Sequence, residues 1–437
     1  MNERDSESLG CLLESRGYLR ASSENEADIC IFNTCSVRDQ AERKALGKVG
    51  LMKKLKAEKP GMVLGIIGCM AQRLGDSLFQ KLPHLDFVAG TDQLQSVPEL
   101  IEEAIERHVQ ASATEMTPHI FRELDGHRPG NLFGYVSVMH GCNQFCTYCV
   151  VPYTRGREKS RPISDIVEEV KTLVAGGTKE ILLLGQNITA YGVAEAIAAG
   201  AYRQNEFSAF ADLLSELNEI EGLERIRFTS PHVKFMTDKF VRAICTLPKV
   251  CKSFHVPMQS GSDRILKLMN RSYSAAEYRE RIGAIRALAP QATFSTDIIV
   301  GFCTETEAEF EMTRELMNEI GFDMAYIFRY SQRSGTRAAL TLQDDVPEEE
   351  KHRRNQILLA DLAAGTAERN KAYLGTTVEV LAEGVSKRNP NRWCGRTDLN
   401  KVVLFPPATQ GCRPGELLRI KIDRTTENSL FGKIADR

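Results

Sequence analysis

Along the 437-residue chain the spacing of apolar and polar positions changes rhythm twice. Up to about residue 107, helical patterns alternate with short apolar runs: DICIFNTC (28–35), VLGIIGCMA (63–71) and LDFVAG (85–90). Runs this short predict buried parallel strands, each ending in a loop. QSVPELIEEAIERHV (95–109) predicts a helix with Pro98 in its first turn. Residues 110–133 are polar, carry Pro118 and Pro129, and predict a linker. Strand–helix units follow from about 134 to 370, beginning with GYVSVMH (134–140). In the helix after it, Ile166, Val167, Val170, Leu173 and Val174 share one face. Ser164 is its expected N-cap, and Gly176 falls just past its end. EILLLG (180–185), RIRFTS (225–230), SFHVPM (253–258), TFSTDIIVGF (293–302) and MAYIFRYS (324–331) are further strands. This alternation predicts a parallel sheet or barrel with helices outside and ligands at the C-terminal strand ends. A long helix, about 347–373, leads into the period-two segments TTVEVLAEG, KVVLF and ELLRIKI. Those predict a small all-β barrel. The expected fold class is α/β, with an N-terminal α/β domain (1–110), a central partial (β/α) barrel (134–368) and a C-terminal β-barrel (371–437).

Composition adds little to this: 42% hydrophobic and 26% charged residues are ordinary for a globular protein. No apolar run approaches the ~20 residues of a membrane helix. The first residues, MNERDSESLG, are polar and acidic and do not form a signal peptide. The expected location is therefore cytoplasmic, with the twelve cysteines as reduced thiols. Net charge is only −2, which argues against a general polyanion binder. Its distribution is uneven: acids outnumber bases in residues 1–125, and bases outnumber acids beyond 371. A basic tail domain is a candidate nucleic-acid footprint, or a solvated basic surface.

GCNQFCTYC (141–149) holds three cysteines, Cys142, Cys146 and Cys149, just after a predicted strand. Three readings compete. With His140 as fourth ligand the set is a Cys3His zinc site, although His140 would have to double back from the strand end. A redox pair of Cys146 and Cys149 leaves Cys142 unexplained. A 4Fe–4S cluster with three protein ligands leaves one iron open. That opening suits S-adenosylmethionine (SAM), whose amino and carboxylate groups chelate the iron before an electron splits a carbon–sulfur bond.

Cys-x3-Cys-x-aromatic-Cys at a first barrel strand, with Tyr148 as the aromatic, resembles the radical-SAM superfamily. The flanks YCVVPYTRGREKSRP (148–162), LLLGQNITAYG (182–192), FHVPMQSGSDRILKLMNRSY (254–273), STDIIVGF (295–302) and YSQRSGT (330–336) narrow the resemblance to the methylthiotransferases, most closely the MiaB-type tRNA enzymes. NTCSVRDQAERK (33–44) and GCMAQR (68–73) resemble the N-terminal domain of that family, and WCGRTDLNKVVLFP (393–406) its C-terminal TRAM barrel. The resemblance implies methylthiolation at C2 of an N6-(dimethylallyl)adenosine beside the tRNA anticodon. It implies two 4Fe–4S clusters, SAM as methyl donor and radical source, and an electron-donating reductase or flavodoxin. A monomer acting on tRNA, away from membranes, is expected. Carried over by motif, Cys142, Cys146 and Cys149 hold the SAM cluster, while Tyr148, Gly185, Gln186 and Asn187 contact SAM. Cys35 and Cys69 are auxiliary-cluster ligands.

The chain departs from the family pattern at its start. A third auxiliary cysteine would lie two residues before Met1, so the first domain reads as incomplete. Cys11 and Cys30 are the alternatives for that ligand, but a core-facing helix position and a buried strand position are expected for them. Cys303 stands where the family more often has proline, and reads as a loop substitution. Cys245, Cys251, Cys394 and Cys412 lack partners at ligand spacing and read as packed thiols. His232 and His255 lie near strand ends, either as structural histidines or beside SAM or substrate. Arg155, Arg157, Lys159 and Arg161 are expected to meet RNA phosphates. In the last domain Lys387, Arg388, Arg392 and Arg396 interleave with Trp393, an RNA-stacking ring or the core anchor of the barrel. Two other functions compete: methylthiolation of a ribosomal-protein aspartate, and a non-catalytic iron–sulfur RNA-binding protein.

Overall fold

A computed structural model of the chain describes residues 1–36, 39–117, 124, 126–407 and 411–435. Val37, Arg38 and Pro118, which belong to quoted motifs, lie outside the described residues. Two compact units are present. One comprises 1–129, 137–161 and 333–340; the other comprises 130–136, 162–332 and 341–437.

The first unit opens with helix Asn2–Ser15. Strands β1 (Ile29–Thr34), β2 (Val63–Gly68), β3 (Phe87–Ala89) and β4 (Ala111–Ala113) then form one parallel sheet in that order. The three apolar runs thus become strands, and β4 falls inside the expected linker. β2 is buried at every position, as a continuous apolar run in a covered parallel sheet should be. Helix Asp39–Glu58 packs on one side of the sheet, with Val49 and Met52 in a core with Leu64, Ile66 and Val88. Helix Val97–Arg107 packs on the other, with Ile101 against Val63, Ile67 and Phe87. β5 (Phe133–Ser137) ends in this unit. β6 (Met139–His140), helix Val151–Thr154 and β7 (Lys159–Ser160) follow, with β6 and β7 paired antiparallel.

In the second unit, β5 is followed by β8 (Glu180–Leu184) and β9 (Arg225–Phe228) in one sheet. β10 (Ser253–His255), β11 (Thr293–Val300) and β12 (Met324–Arg329) form another. A parallel bridge from Ile226 to Val250 connects them into the partial (β/α) barrel. Helix Ile163–Ala175 buries Ile166, Val170 and Leu173 of the predicted stripe, leaves Val167 and Val174 half-buried, and is capped by Gly176. Ser164 is not its N-cap. The helix begins at Ile163 with Pro162 at the N-cap, two residues earlier, and the Ser164 hydroxyl bonds Asp165 instead.

Helix Glu348–Lys371 leads to a closed barrel in the order β13 (Thr377–Ser386), β14 (Asn389–Arg396), β15 (Val402–Phe405), β17 (Leu430–Ile434), β16 (Leu417–Thr425). The loop after β14 docks on the N-terminal strand ends of the partial barrel. Arg225 donates to the Arg396 carbonyl at 2.6 Å, Arg227 to the Thr397 carbonyl at 2.8 Å, and the Thr293 hydroxyl to the Leu399 carbonyl at 2.9 Å. Lys401 closes the junction on Asp323 at 2.6 Å and Asn370 at 2.8 Å. With that end occupied, the C-terminal strand ends remain for ligand. Among the described residues no helix is long and apolar enough to cross a membrane.

Candidate functional site

The thiol loop of the first unit is shaped by backbone constraints. Gly141 has φ +77°, and a Cβ there would lie 2.0 Å from the Arg157 carbonyl oxygen. Only glycine allows this approach, which brings the Cys142 amide to the Gly156 carbonyl at 3.1 Å. Asn143 and Glu158 exchange hydrogen bonds at 3.0 and 3.3 Å, tying the two limbs together. Within the loop the Gln144 amide points at Cys142 Sγ and the Val151 amide at Cys149 Sγ, each at 3.5 Å. Such donors favour anionic sulfur. Cys146 is buried; Cys142, Tyr148 and Cys149 are half-buried.

Cys35 and Cys69 follow β1 and β2 directly. The strands pair in parallel up to Thr34 opposite Gly68, so the two cysteines leave adjacent strand ends at one level. Gly68 has φ +91°, and a Cβ would press Asn33 and the Thr34 carbonyl at 2.6 Å. Cys69 opens helix Cys69–Leu74, which packs on helix Val151–Thr154, just after Cys149. One unit therefore presents both cysteine sets.

Arg155 joins them. Its guanidinium is buried, pairs with Asp5 at 2.6 Å, reaches Asn2 at 3.3 Å and bonds Cys69. Lys159 is also buried, on Asp92 at 3.2 Å and the Thr117 carbonyl at 2.7 Å. These two cations of the basic run are therefore not surface phosphate contacts, and the assignment of both to RNA is corrected. Their charge is needed by acids that arrive from far along the chain. Arg157 is exposed and stacks over Phe145 at 4.3 Å, whereas Arg161 is half-buried on the Ser137 carbonyl at 2.9 Å.

His140 lines a water-sized cavity with Asp5, Ser8, Thr91 and Asp92. Burial, followed by the Arg155 charge, pushes its ring down to about 3, so it is neutral. Among the described residues no three His, Cys, Asp or Glu side chains gather around one ion, so the Cys3His set is not assembled. Cysteines on different irons of a cubane do not converge on one ion, so this observation bears on zinc and not on a cluster.

Cys11 packs against Gly126 and Cys30 lies in the sheet core, where burial raises both thiols. Neither stands in as a cluster ligand in this fold. Cys245, Cys251 and Cys303 are buried and raised in the same way. Cys394 and Cys412 are half-buried in the terminal barrel.

In the second unit Gly185, Gln186 and Asn187 follow β8, as expected. Asn187 is buried, and its Oδ1 accepts from Thr189 Oγ1 at 3.1 Å. Thr189 Oγ1 also accepts the His232 amide at 2.8 Å, joining the ends of β8 and β9. Ser230 and Gln259, after β9 and β10, hold left-handed backbones with φ of +62° and +66°. Non-glycine residues are strained there, and such strain gathers at ligand sites. Four side-chain atoms at these ends are buried without a partner among the described residues: Gln186 Oε1, Asn187 Nδ2, His232 Nε2 and Gln259 Oε1. Sequence reasoning did not single out Ser230 or Gln259, and no residue-type signal marks a left-handed serine or glutamine. His255, by contrast, is satisfied by Ser295 at 3.0 Å and Asp297 at 3.4 Å.

In the terminal barrel Trp393 packs against the core of Val380, Val403, Phe405 and Ile420, so it serves as anchor. Arg392 and Arg424 lie over the Phe431 ring at 5.4 and 3.6 Å, in a groove of about 410 Å³ that includes Lys433. Arg396 is exposed, 3.4 Å from Glu383.

Comparison with known proteins places these features. The Radical SAM superfamily matches residues 136–317, Uncharacterized protein family UPF0004 matches 1–90, and the TRAM domain matches 371–435. A tRNA-2-methylthio-N(6)-dimethylallyladenosine synthase from Opitutus terrae is 42% identical over 99% of this chain and 95% of its own length. The enzyme of that name from Akkermansia muciniphila is 42% identical over 99% and 96%. The chain belongs to the tRNA-2-methylthio-N(6)-dimethylallyladenosine synthase family. The family's counterpart from Clostridium botulinum is 41% identical over 99% of the chain and 94% of its own. Among solved structures, the radical SAM methyltransferase TsrM from Kitasatospora setae shares the fold, with a TM-score of 0.50 and 12% identity. That likeness covers 74% of this chain, which spans 64% of the TsrM chain. An iron–sulfur cluster and SAM are the cofactors that go with the Radical SAM match, and the thiol loop lies inside the matched residues. Three thiols with amides turned toward two of the sulfurs fit that cluster.

Proposed function

We propose that this chain performs the reaction named for its relatives, transfer of a methylthio group to C2 of N6-(dimethylallyl)adenosine in tRNA. The observation that carries it is the 42% identity to such a synthase over nearly the whole length of both chains. Bound at residues 142–149, the cluster supplies one-electron chemistry to SAM.

The roles of the chain's own residues follow from their positions. Cys142, Cys146 and Cys149 hold the cluster. Tyr148, Gly185, Gln186 and Asn187 bind SAM. Cys35 and Cys69 supply two ligands of a second 4Fe–4S cluster, in the sheet-end position where β1 and β2 deliver them together. Arg157, Arg161 and Arg396 meet phosphates, joined by the Arg392, Arg424 and Phe431 groove. The division into domains 1–110, 134–368 and 371–437, a cytoplasmic location, monomeric action and a flavodoxin or reductase as electron donor complete the reading.

The target base lies in a single-stranded loop, so extruding it into the barrel mouth costs little. The test is nucleoside mass analysis of tRNA from a host lacking its own such enzyme. Expression of the chain should convert N6-(dimethylallyl)adenosine to its 2-methylthio form. Expression with iron supplied and no conversion would overturn the proposal.

A further inference from the structure

The end of β9 carries a histidine whose chemistry is fixed by its surroundings. His232 is 4% exposed. Its Nδ1 accepts the Lys234 amide at 3.3 Å, so the ring proton of the neutral form resides on Nε2. Burial first, then the nearby Arg271 and Lys234 charges, hold the ring well below its ordinary value, so the neutral form is the relevant one. The backbone is anchored through Thr189 on both sides, with the His232 carbonyl accepting the Thr189 hydroxyl at 3.2 Å. The ring meets Tyr273 edge-on at 5.3 Å, and the Tyr273 hydroxyl bonds the carbonyls of Pro257 and Met258 at 3.0 Å each. This chain of contacts links His232 to Asn187 on one side and to Pro257 and Met258, just before the strained Gln259, on the other. Nε2 itself has no acceptor among the described residues. A buried N–H left without a partner costs about 1–3 kcal/mol, a cost that a ligand acceptor removes.

The neighbouring orphans define the ligand. With Gln186 and Asn187 given to SAM, His232 Nε2 is a donor and Gln259 Oε1 an acceptor. A carboxylate or phosphate needs donors only. A purine base offers both kinds, with ring-nitrogen acceptors and an amino donor. We infer that His232 is a substrate-binding residue whose Nε2–H donates to a ring nitrogen of the target adenine in RNA. The inference rests on the proposed function, and it assigns the β9 end to the substrate because the β8 end is already given to SAM. Left-handed backbone at Ser230 and Gln259 falls at these same strand ends.

The test uses the full chain and RNA hairpins that carry N6-(dimethylallyl)adenosine or its 1-deaza or 3-deaza analogue at the target position. Affinity is read by fluorescence anisotropy, which needs no turnover. Wild type should bind one deaza hairpin roughly 5- to 150-fold more weakly than the natural one. His232→Phe should show a similar loss on the natural hairpin and no further loss on that analogue. His232→Gln, which keeps a donor, should recover part of it, with SAM affinity unchanged in both. The wild-type deaza series stands whether or not a variant folds. Equal affinity for all hairpins overturns the inference, as do additive losses in His232→Phe or a change confined to SAM affinity. Deaza sensitivity without methylthio product would instead sink the functional reading while sustaining this contact.

Discussion

Arg155→Ala should loosen the first unit far more than loss of a surface cation would. Arg155 is 4% exposed, sits 2.6 Å from Asp5, and also holds Asn2 and Cys69. Removing it strands the Asp5 carboxylate, whose side chain is 9% exposed. Breaking one partner of a buried pair costs about 3–5 kcal/mol. An ordinary aspartic carboxyl escapes further cost by taking up a proton, which at pH 7 limits that part to about 4 kcal/mol. Hydrogen exchange in helix Asn2–Ser15 and in residues 151–161 is the assay. Protection there should fall roughly 10²- to 10³-fold at pH 7, less at pH 5.5, and should partly return in an Arg155→Ala, Asp5→Asn double variant. Unchanged protection with weakened RNA binding would refute the reasoning and return Arg155 to the phosphate-facing set.

Other consequences are equally direct. Gly141→Ala forces a methyl against the Arg157 carbonyl. Iron bound after anaerobic reconstitution should therefore fall by about one cluster, while the fold monitored by circular dichroism persists. Arg264 and Thr306 hydrogen bonds hold the Glu309 carboxyl down at about 2. A depressed carboxyl stabilises above its unfolded value and loses that contribution as pH falls. The melting advantage of wild type over Glu309→Gln should therefore shrink between about pH 4.5 and 2. Removing both Arg392 and Arg424 should weaken tRNA binding and lower the slope of log affinity against log salt by about 1–2.

Most strands were legible because apolar runs bounded by loop residues survive intact in parallel sheets. β2 and β11 match their sequence segments closely. β14 was not, since NPNRWCGR alternates poorly and leads out of a tight turn; antiparallel partners on both sides make it a strand. β4 was hidden in a polar stretch because its three residues are strand only by pairing with β3. At the site, the thiol loop and the β8 end were visible as motifs. The burial of Arg155 and Lys159 was not, because Asp5 and Asp92 come from remote segments that only the fold brings near. His232 was noticed but not assigned, since its tautomer depends on the Lys234 amide.

The most direct measurement of the central claim is paramagnetic resonance of the reduced, anaerobically reconstituted chain with and without SAM. SAM should shift the cluster signal and be cleaved to 5′-deoxyadenosine, with both effects absent in Cys146→Ala. Zinc in place of iron, or a cluster signal indifferent to SAM with cleavage retained in Cys146→Ala, would contradict the account.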